Sequence, residues 1–162
     1  MTVPTLYDWM GGIEALNRLT KEFYRRVHAD ELLAPVFAGM DAEHPHHVAM
    51  FLAEVLGGPA LYSEQLGGHP EMVRHHLGKH LTEPMRRRWL NLLLDTHTDL
   101  NLPADPEFAS ALVGYLEWGT RLAVINSQPG AKVFAQAPMP KWGWGETGGP
   151  YIAQKPPIPD HS

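Results

Sequence analysis

Apolar residues recur along this chain at steps of three and four. Ile13, Leu16, Phe23 and Val27 do so with Thr20 between them, followed by Val48, Phe51 and Val55, then Met85, Trp89, Leu92 and Leu93, and finally Phe108, Leu112, Tyr115, Leu116 and Leu122. That spacing lines side chains along one face of a 3.6-residue helix and leaves the opposite face to water. No stretch alternates apolar and polar residues as a half-buried strand would. The pattern predicts an all-α chain with helices near 5–10, 12–28, 31–37, 43–56, 70–77, 83–100 and 106–127.

Prolines and glycines punctuate the same segments. Pro45, Pro70, Pro84 and Pro106 each stand just ahead of a periodic run, where a fixed φ suits the first helical turn and the missing N–H costs least. Thr82 and Asp105 precede two of these runs as expected N-caps. The pairs Gly11-Gly12, Gly57-Gly58 and Gly67-Gly68 fall between segments and mark corners. From Gln128 the character changes: seven prolines and five glycines occur in 35 residues, and periodicity stops. The chain therefore reads as one helical domain over residues 1–128 with a Pro/Gly-rich extension over 129–162. The extension is either an ordered wrap or a disordered tail, and Trp142, Trp144 and Tyr151 favour partial docking.

Composition narrows the chemistry. A length of 162 residues suits one hydrophobic core, and no apolar run approaches the roughly 20 residues that span a bilayer. The N-terminus "MTVPTLYDWMGG" lacks the basic start and apolar core of a secretory signal, so a soluble, cytoplasmic protein without a membrane partner is expected. The formal charge is −5 and the only dense basic run is Arg86 to Arg88, which argues against nucleic acid as a partner. With no cysteine in the chain, a metal would have to be held by histidine, by carboxylates or within a cofactor.

Three of the ten histidines crowd into "HHLGKH", residues 75–80. On a helix beginning near Pro70, His76 shares a face with Met72 and lies beside Val73, whereas His75 points about 100° away. Gly78 loosens or ends that helix, which weakens any pairing of His80 with His76. From spacing alone, His76 reads more readily as a satisfied core histidine than as a ligand, and His75 and His80 read as surface residues.

Four ordered segments add what spacing lacks. "GGIEALNRLTKEFYRRV", "FLAEVLGGPALYSEQ", "RHHLGKHLTEPMRRRW" and "YLEWGTRLAVINS" resemble a truncated haemoglobin of group II over roughly residues 4–128. Tyr24, Phe37, His44 and Trp89 would also suit group III, but the retained glycine pairs favour group II.

The resemblance implies a shortened globin, with helices two-over-two around haem b. In that family the histidine on the iron lies six residues before the Thr that opens the next long helix and thirteen before a Trp on it. His76 meets both counts, to Thr82 and Trp89, and His75 misses each by one. The same alignment makes Tyr24 the distal tyrosine, Phe37 the ring packed on the porphyrin, His44 the distal gate, and Trp89 the tryptophan diagnostic of the group. Val48, Phe51, Tyr62, Met72 and Arg74 become further haem contacts, with Lys79 a second candidate beside Arg74 for the propionates. His47 is expected at the surface, with a haem propionate as the alternative it could face.

Reversible binding and transport of O₂, with NO, CO or sulfide as further ligands, follows from the resemblance, with hydrogen bonds to the ligand from Tyr24 and Trp89 and His44 as a third donor. Two other functions stay open. One is NO dioxygenation or a peroxidase-like reaction driven by an external reductase, since the chain has no G-x-G-x-x-G fingerprint of its own. The other is a non-haem metal site of His44, His69, His76 and His80. Either a monomer or a homodimer is compatible with the sequence.

Overall fold

The computed structural model describes residues 2–134 and 137–150. Eight α-helices carry this part of the chain: α1 (Leu6–Met10), α2 (Gly12–Ala29), α3 (Ala34–Phe37), α4 (His44–Val55), α5 (Leu61–Leu66), α6 (Gly68–His76), α7 (Glu83–Asp99) and α8 (Pro106–Asn126). No strand occurs among the described residues. Helix α2 packs on α4 and α7, α7 on α8, and α6 on α8. The core between them is made by the periodic residues: Phe23, Val27, Val55 and Phe108 are fully buried.

The caps follow the sequence. Thr82 accepts the Met85 N–H at 3.3 Å and Asp105 the Phe108 N–H at 3.2 Å, each at the head of its helix. The first corner is made by Gly11 at φ 112°, which ends α1 and starts α2 at once. An L-residue rarely adopts that conformation. At the second corner, Gly58 lets the chain pass so close to α1 that a Cβ would lie 2.7 Å from the Tyr7 ring and 2.8 Å from the Ala53 carbonyl oxygen.

Three segments differ from expectation. Helix α5 lies where the sequence suggested only a loop. Its six residues are too few to show a period, and a residue on another helix supports it: the buried Glu54 carboxylate of α4 accepts the Ser63 N–H at 2.8 Å and also binds the Ser63 hydroxyl. Helix α3 begins at Ala34 and not at residue 31, because Asp30 turns the chain by accepting the Leu33 N–H at 3.1 Å. Helix α6 starts two residues early, at Gly68, and stops at His76, since Leu77 leaves helical geometry at ψ 130°.

Residues 137–150 are an ordered wrap. The Trp142 N–H donates to the Val55 carbonyl at 2.9 Å, and the Trp144 indole donates to the Pro4 carbonyl at 2.7 Å. Trp144 meets the rings of Trp9 and Phe108 edge-on at 6.1 and 6.3 Å. Tyr151, the third aromatic expected to dock, lies outside the described residues.

Candidate functional site

Helices α2, α3, α4, α6, α7 and α8 leave between them one cavity of about 470 Å³. Its volume falls within the range of small-molecule and cofactor sites, roughly 300–1,000 Å³. Tyr24, Phe37, His44, Val48, Phe51 and Trp89 line it, as do Met72 and His76 from α6.

The polar groups from α2, α4 and α7 are linked. Tyr24 is buried, and its Oη lies 3.1 Å from His44 Nε2. Burial pushes the Tyr24 pKa up, and a hydrogen bond from the Trp89 indole works against that shift. The Tyr24 and Phe37 rings meet edge-on at 5.6 Å, and Phe23 holds Trp89 from behind at 5.0 Å. His44 opens α4 ahead of Pro45, which directs its ring inward from the first turn. Burial, aided by the nearby histidines 75, 47 and 76 and opposed by Asp41, lowers its pKa to about 4. At neutral pH it is an uncharged imidazole, so one ring nitrogen is a donor and the other an acceptor.

His76 is the last residue of α6. Burial lowers its pKa to about 4 with His75 adding to the effect, while a hydrogen bond to the Met72 backbone carbonyl opposes it. A neutral imidazole that donates one N–H to a carbonyl has its other nitrogen free as an electron-pair donor, the state required of a metal ligand. His75 instead is exposed at the cavity rim, 3.4 Å from Glu71.

Not every expected residue reaches this cavity. Arg74 is exposed and pairs with Glu71 at 3.2 Å, away from the lining. Tyr62 is buried edge-on to Phe51 at 5.1 Å and faces a smaller cavity of about 130 Å³. His47, expected at the surface, is half-buried and borders both cavities, and Lys79 lies on the rim of the larger one. The four histidines of the non-haem reading are not brought together: His44, His69 and His76 share the cavity, but His80 is exposed and its backbone N–H bonds to the Ser127 carbonyl at 3.0 Å. Among the described residues, no three histidine or carboxylate side chains are close enough to hold a metal ion unaided. Tyr115 and Trp118 of α8 also line the cavity and were not anticipated there. Tyr115 belongs to the apolar stripe that read as core, and only Trp118, which departs from that stripe, carried a signal.

A helical fold closed around one largely apolar cavity, with a neutral histidine presented from one helix and a hydrogen-bonded polar cluster from three others, is the arrangement of a globin. Comparisons with known proteins agree. The bacterial-like globin family matches residues 5–115. A group 2 truncated haemoglobin of Bacillus subtilis is 34% identical over 117 residues, covering 72% of this chain and 86% of the relative. A group 1 truncated haemoglobin of Nostoc commune is 42% identical over a shorter stretch of 81 residues; the match takes in 49% of this chain and only 64% of that relative's length. Among solved structures, the truncated oxygen-avid haemoglobin of Bacillus subtilis aligns with a TM-score of 0.66 and 33% identity, covering 75% of this chain and 99% of the other. The thermostable haemoglobin of Thermobifida fusca aligns at 0.65 and 33%, covering 75% and 97%. The chain belongs to the bacterial-like globins and, within them, to the truncated haemoglobins of group II, whose two-over-two fold binds haem b. The residues present fit that group: an apolar cavity of cofactor size receives one neutral imidazole with a free nitrogen.

Proposed function

We propose that the chain holds haem b through His76 and binds O₂ reversibly on the side of Tyr24, His44 and Trp89. The single observation that carries this reading is the sharing of one cavity by an uncharged His76 and the bonded pair Tyr24–His44, with Trp89 beside them. When bound, haem supplies an iron with one coordination position for the histidine and one for a diatomic ligand.

The chain's own residues do the rest. The bond from His76 to the Met72 carbonyl fixes the tautomer and ring angle of the imidazole. The Tyr24 hydroxyl and Trp89 indole supply donors where a ligand with partial negative charge would sit, and charge-assisted hydrogen bonds are the stronger kind. Phe37, Val48, Phe51 and Met72 supply apolar walls that exclude water. His47, His75 and Lys79 on the rim are better placed than Arg74 to meet the haem carboxylates. NO, CO and sulfide fit the same position.

The test is an absorption spectrum of the purified protein and three variants. His76→Ala is expected to abolish the normal five-coordinate ferrous spectrum, whereas His75→Ala and His80→Ala should leave it nearly intact. An unchanged spectrum in His76→Ala would overturn the assignment.

A further inference from the structure

Three aromatic rings run from the cavity to the surface where the C-terminal extension docks. Tyr115 and Trp118, both on α8, line the cavity. Trp142, from the extension, completes a triangle with them: the ring centroids are 5.6 Å apart for Tyr115–Trp142, 5.9 Å for Trp118–Trp142 and 6.2 Å for Tyr115–Trp118. The Val55 carbonyl holds the Trp142 backbone, and the indole lies over Gly114 of α8, where even an added Cβ would meet it only in ordinary contact at 3.7 Å.

The surroundings of the rings differ in a way that matters for oxidation. Tyr115 is 5% exposed, and its hydroxyl has no hydrogen-bond partner among the described residues. Trp118 is 41% exposed. An aromatic ring that loses an electron becomes a strong acid at its O–H or N–H and is stabilised where a base or water can take the proton. Trp118 is the most exposed of the three rings and the one that solvent and a partner protein can reach, so an electron vacancy that a partner is to fill is met on Trp118.

We propose that Tyr115, Trp142 and Trp118 form an outlet for one-electron oxidation, through which peroxide reduced in the cavity oxidises a redox protein too large to enter it. The proposal rests on the reading of the cavity as a haem site. The overall reaction is H₂O₂ + 2 D + 2 H⁺ → 2 H₂O + 2 D⁺, with D a one-electron donor protein. In each of two turns Trp118 passes one electron toward the cavity and releases its indole proton to water. The donor then returns an electron to Trp118, and water returns the proton. Over both turns the peroxide O–O bond breaks, and peroxide takes up two electrons and two protons. A formal charge of −5 on the chain favours a cationic donor.

The experiment uses the full haem-loaded ferric protein, with hydrogen peroxide as oxidant and ferrocytochrome c, a basic protein, as donor. Oxidation of the donor is followed by its absorbance, against controls lacking the globin. Trp118→Phe is expected to slow this oxidation by about tenfold or more, equivalent to about 1.4 kcal/mol, whereas Trp118→Tyr, which keeps a redox-active ring, should retain most of the rate. Without a donor, peptide mapping should find oxidised Trp118 in the unmodified protein. A wild-type rate in Trp118→Phe, or an equal loss in Trp118→Tyr, would overturn the outlet while leaving the haem reading intact. A purified protein with no haem absorption band would remove both.

Discussion

The hydroxyl of Tyr24 and Nε2 of His44 lie 3.1 Å apart, joining the middle of α2 to the first residue of α4 across the cavity. Because His44 is neutral at pH 7, the bond is one between uncharged groups, and either partner can be the donor. The two side chains therefore hold each other, and a ligand that accepts from the Tyr24 hydroxyl competes with His44 for its proton when His44 is the acceptor.

Removing a distal donor should be visible in the kinetics. A hydrogen bond to a group carrying charge contributes roughly 1.5–3 kcal/mol. Tyr24→Phe and Trp89→Phe are each expected to speed O₂ release by roughly ten- to a hundredfold. The double variant should fall short of the product of the two if both donors serve one ligand. His44→Leu should act more on ligand access than on release. CO, which carries less charge when bound, should respond far less to all three. Stopped-flow O₂ release and CO rebinding check this; equal effects on both gases would mean that the side chains act by packing.

Gly58 should tolerate no side chain. A Cβ there would press on the Tyr7 ring at 2.7 Å and on the Ala53 carbonyl, a backbone atom that cannot rotate away. Gly58→Ala is expected to cost about 1–3 kcal/mol, the range for overpacking, measurable as a lower urea midpoint at unchanged slope. Gly39→Ala, where a Cβ meets nothing within 4 Å, is the control.

Stability of the haem-free chain should fall as pH drops from about 6.5 to 4.5. His44 has its pKa lowered to about 4 by burial, and burial lowers that of His97 too. A histidine whose folded pKa lies below its unfolded value near 6.5 binds more protons when unfolded. Its contribution is complete above that value and is lost as pH falls toward the folded pKa. Glu22 and Glu83, lowered to about 2 by hydrogen bonds from Arg25 and Arg86 respectively, begin to lose their contributions only below about 4.5. Chemical denaturation at several pH values should show the loss in the histidine window, with a shallower slope in His44→Leu; equal slopes would remove His44 as a cause.

The wrap formed by residues 137–150 should stabilise the domain without being needed for the haem site. A chain ending at Gln128 is expected to bind haem and to melt at a lower temperature, as is Trp142→Ala, which should cost about 2 kcal/mol or more; removal of a fully buried Trp costs more. Failure of the shortened chain to take up haem would show that the wrap completes the pocket, a role for which the contacts of Trp142 with Tyr115 and Trp118 would be responsible.

The long helices were legible because each buries one face over several turns, so the period repeats often enough to be read. Their caps were legible too, since Thr82 and Asp105 act within their own first turn. What could not be read depends on partners distant in sequence. Helix α5 needs Glu54 from α4, and the docking of Trp144 needs the carbonyl of Pro4. At the site, His76 and Tyr24 could be singled out by family spacing. Arg74 could not be placed, because a neighbouring acid, Glu71, turns it outward, and Tyr115 looked like any other apolar position of α8.

Ser127 is fully buried at the end of α8, where its hydroxyl accepts the Leu81 N–H at 2.9 Å and its carbonyl accepts the His80 N–H at 3.0 Å. Gln128 adds a bond to the Leu81 carbonyl at 2.9 Å. His76 is thus the last helical residue before a leash of only three residues, Leu77 to Lys79, whose far end is bolted to another helix. The travel of its imidazole along the cavity is limited by the slack in that leash as much as by α6. Through these bonds a displacement of His76 is coupled to the end of α8, the point from which the C-terminal extension departs.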